Sequence, residues 1–331
     1  QQWGAAEFNR DNRQTIPLGI LDIAFHPANN DVIFVGAVGS GLWKSEDSGA
    51  VWRKINDANN TLQSRADVYK IAINKIKPEV MYIAVVQDNR GRVLRSEDGG
   101  ASFREIYAAT QDGMAVFDIY TAPSSPDEIT IATGDGRLLL SQDAGRQWRI
   151  VRTFSSSLAV LAVNTSFPGE RYVITALGTI AKTFDAGATW TDLGSPTDNS
   201  GTAPPGTITH PYANWQLTFS RTAPDFTFTI DSRNPAILYF ARNDALFSSS
   251  DGGFNWRRMT TLITGQGNVL GGVAVHPARD GTIFVTAGAD FYQSRDGGTS
   301  WSVKTISLGS SLQKIFVHPR RPEIIFVTTA R

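Results

Sequence analysis

One phrase comes back six times along this chain. It reads KSEDSGAVW at residues 44–52, and it recurs as RSEDGGASF, LSQDAGRQW, KTFDAGATW, SSSDGGFNW and QSRDGGTSW. Aligned, the phrases share a hydroxyl residue, an aspartate, a glycine and an aromatic, in the order [Ser/Thr]-x-Asp-x-Gly-x-x-[Trp/Phe]. The aspartates are Asp47, Asp98, Asp143, Asp185, Asp251 and Asp296, with spacings of 51, 45, 42, 66 and 45 residues. The chemistry is that of a tight hairpin. An aspartate accepts hydrogen bonds from backbone amides ahead of it, glycine supplies a positive φ, and the hydroxyl adds a contact to the same turn. The aromatic then enters the next strand, where it can pack in a seam between sheets.

A period near 45 residues is that of a four-stranded propeller blade. Each phrase is preceded by two apolar runs, such as ILDIAFHP and DVIFVGAV, then VYKIAINK and VMYIAVV. Short β-branched and aromatic runs bounded by Pro, Gly, Asn and Asp read as strands, and no amphipathic helical period is present. The predicted fold is therefore all-β: a β-propeller of four-stranded antiparallel blades, a single domain over 1–331, with the six phrases at the hairpins between third and fourth strands. A seventh pair of runs, LQKIFVHP and EIIFVTT, is followed by the last residue, Arg331. Seven innermost strands predict seven blades, with residues 1–18 supplying the strand that closes the ring; six blades with an extra strand pair is the alternative.

Composition narrows the function classes. The chain has 331 residues, 41% of them hydrophobic, 19% charged, no net charge and no cysteine. Zero net charge gives little attraction to a polyanion, so nucleic acid is not expected as a partner. The lack of cysteine excludes disulfides, thiolate metal sites and cysteine nucleophiles. No apolar run is long enough for a transmembrane segment. No metal and no cofactor are expected, because no phosphate-cradling glycine loop or metal-ligand cluster is legible. His26, His276 and His318 each precede a proline at the end of an innermost strand, and their repeat positions spread them apart, which reads as a strand-ending turn. The chain opens on Gln1-Gln2-Trp3 without an initiator Met; this reads as a processed amino end and a secreted, periplasmic or cell-surface location, the alternative being a trimmed numbering.

The six phrases resemble the Asp-box, or BNR repeat, over residues 19–305 and beyond. Proteins with this motif include sialidases, xyloglucanase-type glycoside hydrolases, sortilin-type receptors and the photosystem II assembly-factor family. The resemblance implies that the six aspartates are structural and that function sits on the loops at the opposite ends of the blades. Those loops carry Asp88, Arg90 and Arg92, then Asp135 and Arg137, then Arg242 and Asp244. An insertion at 194–225, before blade 5, adds Tyr212, Trp215 and Arg221; it reads as a functional loop or as a decorative one.

Two functions follow. A sialidase resemblance needs an Arg-Ile-Pro motif, but in NRQTIPLG Arg13 is separated from Ile16-Pro17. A xyloglucanase resemblance is carried by DSRNPAILYFARNDALFSSSDGG, and such a hydrolase needs two carboxylates across a cleft; Asp88, Asp135 and Asp244 are the candidates, and each also reads as a turn residue beside Asn or Gly. The reading preferred on sequence is a non-catalytic, exported propeller that binds a protein or glycan partner through Arg90, Arg92, Arg137, Arg242, Tyr212, Trp215 and Arg221. The alternative is a glycoside hydrolase acting on an extracellular glycan.

Overall fold

A computed structural model describes residues 19–123, 125–196, 226–262, 269–306 and 309–329. The segment 1–18, assigned to ring closure, and the insertion residues Tyr212, Trp215 and Arg221 lie outside the described residues. All regular structure among the described residues is β, and no helix there is long and apolar enough to cross a membrane. Six four-stranded antiparallel sheets, each with its strands in chain order, occupy residues 20–54, 67–108, 116–153, 158–194, 226–258 and 270–305. These are the blades of a β-propeller, here numbered 1–6, with strands A–D in each. The seventh pair forms a two-stranded sheet, Leu312–Val317 with Ile325–Thr329. Among the described residues, six blades are complete and the seventh pair has no outer strands. The described residues up to Thr153 form one compact unit holding blades 1–3. Those from Phe154 on form a second, holding blades 4–6 and the strand pair.

The strand chemistry follows the packing. Second strands such as Ile33–Ala37 and Ile129–Thr133 are buried throughout; their apolar runs are accordingly continuous rather than alternating. Fourth strands are short and exposed, such as Arg53–Lys54 and Ser302–Thr305, and a charged edge of that kind discourages pairing with other chains. The apolar clusters lie in the seams between blades. Phe103 of blade 2 packs with Phe34, Leu42 and Leu62 of the preceding blade and its connection. Trp148, Trp256 and Trp301 occupy the corresponding seams against blades 2, 4 and 5. Trp148 reaches across its seam to donate from Nε1 to the Ile106 carbonyl at 3.0 Å.

The repeated phrase forms one turn, built six times. The Ser or Thr hydroxyl donates to the Asp Oδ1 at 2.7–2.8 Å. The same hydroxyl accepts from the glycine amide at 2.8–3.0 Å. The Asp Oδ1 accepts the amide four residues on at 2.8–2.9 Å. The residue between Asp and Gly donates its amide at 2.9 Å to the A–B turn of its own blade: Ser48 to Asp31, Gly99 to Glu79, Ala144 to Asp127, Ala186 to Gly169, Gly252 to Ala236 and Gly297 to Gly281. That residue is left-handed even where it is Ser48, Ala144 or Ala186, at φ 59–64°, which costs an L-residue roughly 1–2 kcal/mol and persists only because the turn fixes it. At Gly145, φ is 84° and a Cβ would lie 2.6 Å from the Ile106 side chain, so glycine is needed for both conformation and room.

The His-Pro strand ends use a related device. His26 Nδ1 accepts the Ala28 and Asn29 amides at 3.1 and 2.9 Å, and His318 Nδ1 accepts those of Arg320 and Arg321 at 3.2 and 3.0 Å. Asn74 Oδ1 does the same for Ile76 and Lys77, both at 2.9 Å. The imidazole nitrogen thus stands in for an Asn oxygen in an Asx-type turn.

The repeated turns carry a pH signature. Burial pushes the Asp98 carboxyl up, but the Ser102 and Ser96 hydroxyls and the Ser102 amide outweigh it and bring it down to about 2. The Ser300 hydroxyl and amide and the Ser294 hydroxyl hold Asp296 at about 2. An unfolded aspartate titrates near ~3.9. A depressed folded value therefore adds stability that is present above about pH 4 and is lost as pH falls through about 2. The melting temperature is expected to stay level from about pH 7 to 5 and to fall between about pH 4 and 2. Asp98→Ala is expected to cost about 1 kcal/mol at pH 7, or roughly 2–4 °C, and to flatten that acid limb without abolishing partner binding. Thermal unfolding followed over this pH range checks both; an acid limb unchanged by the substitution would show that the carboxylate does not hold the turn.

Candidate functional site

The A strands of blades 1, 2 and 3 read ILDIAF, DVYKIAI and VFDIYT. Each carries one charged residue at the same register: Asp22 opposite Gly36, Lys70 opposite Ala84 and Asp118 opposite Ala132. A β-bulge immediately precedes each of them, and a bulge breaks the in–out alternation and re-aims the next side chain. The bulged residues Leu21, Tyr69 and Phe117 pack into one seam cluster, and the charged residues turn away from it. Lys70 Nζ lies 3.8 Å from Asp22 Oδ1 and 3.5 Å from Asp118 Oδ1. The Ile71 amide donates to Asp22 Oδ2, and the Ile119 amide to Asp118 Oδ1, both at 2.9 Å.

Asp22 and Asp118 are each 7% exposed, while the Lys70 side chain is 34% exposed. Asp118 and Asp22 raise the Lys70 pKa well above the ordinary lysine range against the opposing effect of burial. Lys70 is thus a fixed ammonium, and the row offers charged donors and acceptors to a polar group without supplying a proton. The row lies on first strands and not on the loops that carry Asp88, Asp135 and Asp244. The signal for it in the sequence is a single charge at one register of an otherwise apolar first strand, in three successive repeats.

Of the residues expected on the B–C loops, Asp88, Asp135 and Asp244 lie on the turns, whereas Arg90 and Arg92 belong to the strand Arg90–Ser96, Arg137 opens Arg137–Ser141 and Arg242 closes Leu238–Arg242, because the hairpin turns are short; each is engaged nearby. Asp88 and Asn89 form the tip of the blade 2 hairpin at φ 51° and 58°. Asp88 Oδ2 accepts from Gln63 Nε2 at 2.6 Å and lies 3.9 Å from Arg92. Arg90 donates from Nε and Nη2 to Asp112 Oδ1 at 2.9 and 2.8 Å. Arg92 donates from Nη1 to Glu105, and its buried Nε has no hydrogen-bond partner.

In blade 3, Asp135 accepts from Thr133 and pairs with Arg137. Burial pushes Asp135 up, but Arg137 and Thr133 bring it below the ordinary carboxylate range. In the second unit, Asp244 lies 3.5 Å from Arg258, and Arg242 Nη1 donates to the Leu177 carbonyl of blade 4 at 3.1 Å. The structure therefore brings Asp88 together with Arg92, and Asp135 with Arg137, each within one hairpin. Among the described residues, no group of three His, Asp or Glu side chains is placed to hold a metal ion.

No family model matches the chain. It is 22% identical over 285 residues to the oligoxyloglucan-reducing end-specific xyloglucanase of Emericella nidulans, a match covering 84% of this chain and 30% of that protein. Among solved structures it is similar to the GH74 xyloglucanase from Xanthomonas campestris, with a TM-score of 0.69, 15% identity, and coverage of 94% of this chain and 51% of that one. It is similar also to YCF48 bound to D1 peptide, with a TM-score of 0.69, 17% identity, and coverage of 95% of this chain and 91% of that one. The chain thus spans 30% of the length of the curated relative and about half of the xyloglucanase structure. At these identities the likeness shows the fold alone, a β-propeller.

The Lys70 row yields a direct test. Lys70→Met leaves two buried carboxylates without the ammonium between them. Because Lys70 is partly exposed, the expected loss is about 2–3 kcal/mol, at or below the lower end of the range for breaking a buried pair. Neutralising the carboxylates as well, in Asp22→Asn/Lys70→Met/Asp118→Asn, is expected to recover most of it, since asparagine still accepts the Ile71 and Ile119 amides. Denaturant unfolding of the two variants checks this; equal stability of Lys70→Met and the unmodified chain would remove the row from the structural account.

Proposed function

We propose that this chain is a non-catalytic propeller that grips a protein or glycan through the loops at the blade ends opposite the repeated turns. The observation that carries this reading is the engagement of every loop carboxylate offered as a catalytic group. Asp88 is held by Gln63 and Arg92, Asp135 by Thr133 and Arg137, and Asp244 by Arg258. A glycosidase needs one carboxyl raised enough to donate a proton near neutral pH, and the fall of Asp135 below the ordinary range points the other way. The six repeated turns are read here as structural Asp-boxes. Their aspartates serve the hairpins.

Arg90, Arg92, Arg137 and Arg242 are the proposed contacts, together with Tyr212, Trp215 and Arg221 of the insertion, which lie outside the described residues. Arginine and aromatics are the usual anchors of interfaces. YCF48 bound to D1 peptide gives a precedent for a propeller of this fold holding a peptide. An exported location belongs to the same reading. The second reading, a glycoside hydrolase on an extracellular glycan with Asp88, Asp135 or Asp244 at work, is favoured by the similarity to xyloglucanases.

Peptide and glycan arrays probed with the full chain, followed by titration of the hits, separate the two. Arg90→Ala/Arg92→Ala or Trp215→Ala is expected to weaken binding roughly thirtyfold, the loss of about 2 kcal/mol typical of a hot-spot truncation. Unchanged binding in both variants would remove this face. Turnover of xyloglucan oligosaccharides or sialosides, lost in Asp88→Asn, Asp135→Asn or Asp244→Asn, would replace the binder with the hydrolase.

A further inference from the structure

Blades 4 and 5 differ from the rest at their repeated turns. Phe184, between Thr183 and Asp185, is 59% exposed, and Phe254, in the turn of blade 5, is 53% exposed. At the position of Phe184 the other turns carry Glu46, Glu97, Gln142, Ser250 or Arg295, and at that of Phe254 they carry Ala, Arg or Thr. The turn therefore does not require an aromatic at either place. The two rings are neighbours: Lys182 Nζ lies 4.4 Å from the Phe184 centroid and 5.3 Å from that of Phe254. Phe167, 67% exposed, stands on the A–B loop of blade 4, which the Ala186 amide ties to the turn through Gly169. Three exposed phenylalanines gathered on adjoining turns form an apolar patch rather than the isolated exposures normal on a surface.

Lys182 and Arg257 flank the two turns, but the exposed charges within them have one sign. Lys182 is buried, donates to the Gly252 carbonyl at 3.0 Å and is paired with Glu170 at 2.7 Å, so its charge is met inside the protein. The turns 183–190 and 249–256 contain no Lys or Arg, and each exposes one aspartate, Asp185 and Asp251. Both carboxylates are held below the ordinary range, Asp185 by the Thr189 hydroxyl and amide and by Thr183. At Asp251, burial pushes upward but is outweighed by hydrogen bonds from Asn255 and Ser249. They remain charged at any physiological pH.

We propose that Phe184, Phe254 and Phe167, flanked by Asp185 and Asp251, form a second docking surface, which takes a protein segment combining aliphatic side chains with arginine or lysine. Apolar rings beside fixed carboxylates complement such a segment in both respects. The aliphatic stem of a basic side chain lies on an aromatic ring while its head reaches the carboxylate. The surface lies at the turn ends of these blades, away from the loops assigned to the first partner, and does not depend on that assignment.

The probe is a short peptide alternating leucine and arginine, with its leucine–glutamate counterpart, titrated against the full chain by fluorescence anisotropy. Phe184→Ser/Phe254→Ala places residues found at other turns and is expected to leave the melting temperature unchanged. Binding of the leucine–arginine peptide is expected to weaken at least about tenfold in that variant and to be unaffected by Arg90→Ala/Arg92→Ala. Phe254→Thr alone, copying Thr299, gives the same direction if the double variant melts early. Failure of the wild-type chain to bind the peptide, equal affinity in the phenylalanine variants, or preference for the glutamate peptide would overturn the proposal. So would a patch-dependent interaction with xyloglucan oligosaccharides in its place, or a dimer that the double variant converts to monomer.

Discussion

A hydroxyl that donates to one aspartate oxygen and accepts from a glycine amide, beside an oxygen that takes a second amide, is the interaction the rest of the structure depends on. Nothing in it is long-range: the donor, the carboxylate and both amides lie within seven consecutive residues, as from Ser45 to Val51 or from Ser294 to Ser300. Its consequence reaches further. Once the turn is closed, the amide between Asp and Gly points at the A–B turn of the same blade, and the aromatic three residues after the glycine is delivered, at Phe103, Trp148, Trp256 and Trp301, into the seam with the blade before. One local motif thus joins the outer hairpin to the inner one and, at those four turns, one sheet to its neighbour. The left-handed backbone at Ser48, Ala144 and Ala186 measures how firmly the turn is set, because these residues would not adopt it unaided.

Much of this was legible in the sequence because it is written in short range. Serine, aspartate and glycine at fixed offsets specify a turn, and apolar runs of five to seven residues specify buried strands. What escaped reading depends on contacts between distant residues. Asp22, Lys70 and Asp118 meet only because three A strands lie side by side with a bulge in each, and a bulge leaves no mark in the residue pattern. Arg90 looks like a free cation in VQDNRGR, but its partner Asp112 is 22 residues away. The exposure of Phe184 and Phe254 is a matter of three-dimensional packing, but the repeat alignment already puts Glu46 and Ser250 where Phe184 stands, which shows that the turn has no need of an aromatic there.

The charged groups sort by what they do. Those on the A strands and in the repeated turns are tied to backbone amides and to one another, and they hold the blades. Those on the B–C hairpins are paired within a blade, with a flanking connection or, for Arg242, with the blade before, which fixes long side chains at the tips. On the proposed reading, such a pre-organised set would lower the entropy lost when a partner docks. The same scaffold carries both uses in its relatives, a xyloglucanase and a peptide-bound YCF48, so the fold alone does not choose between them.

Hydrogen exchange at the turn amides tests the central claim most directly. The glycine amides of Gly49, Gly100, Gly145, Gly187, Gly253 and Gly298 each donate to a buried hydroxyl. If these turns hold the blades together, their amides exchange as slowly as those of the buried second strands, although they sit in loops. Exchange at the rates of open surface loops, with the second strands still protected, would contradict the account.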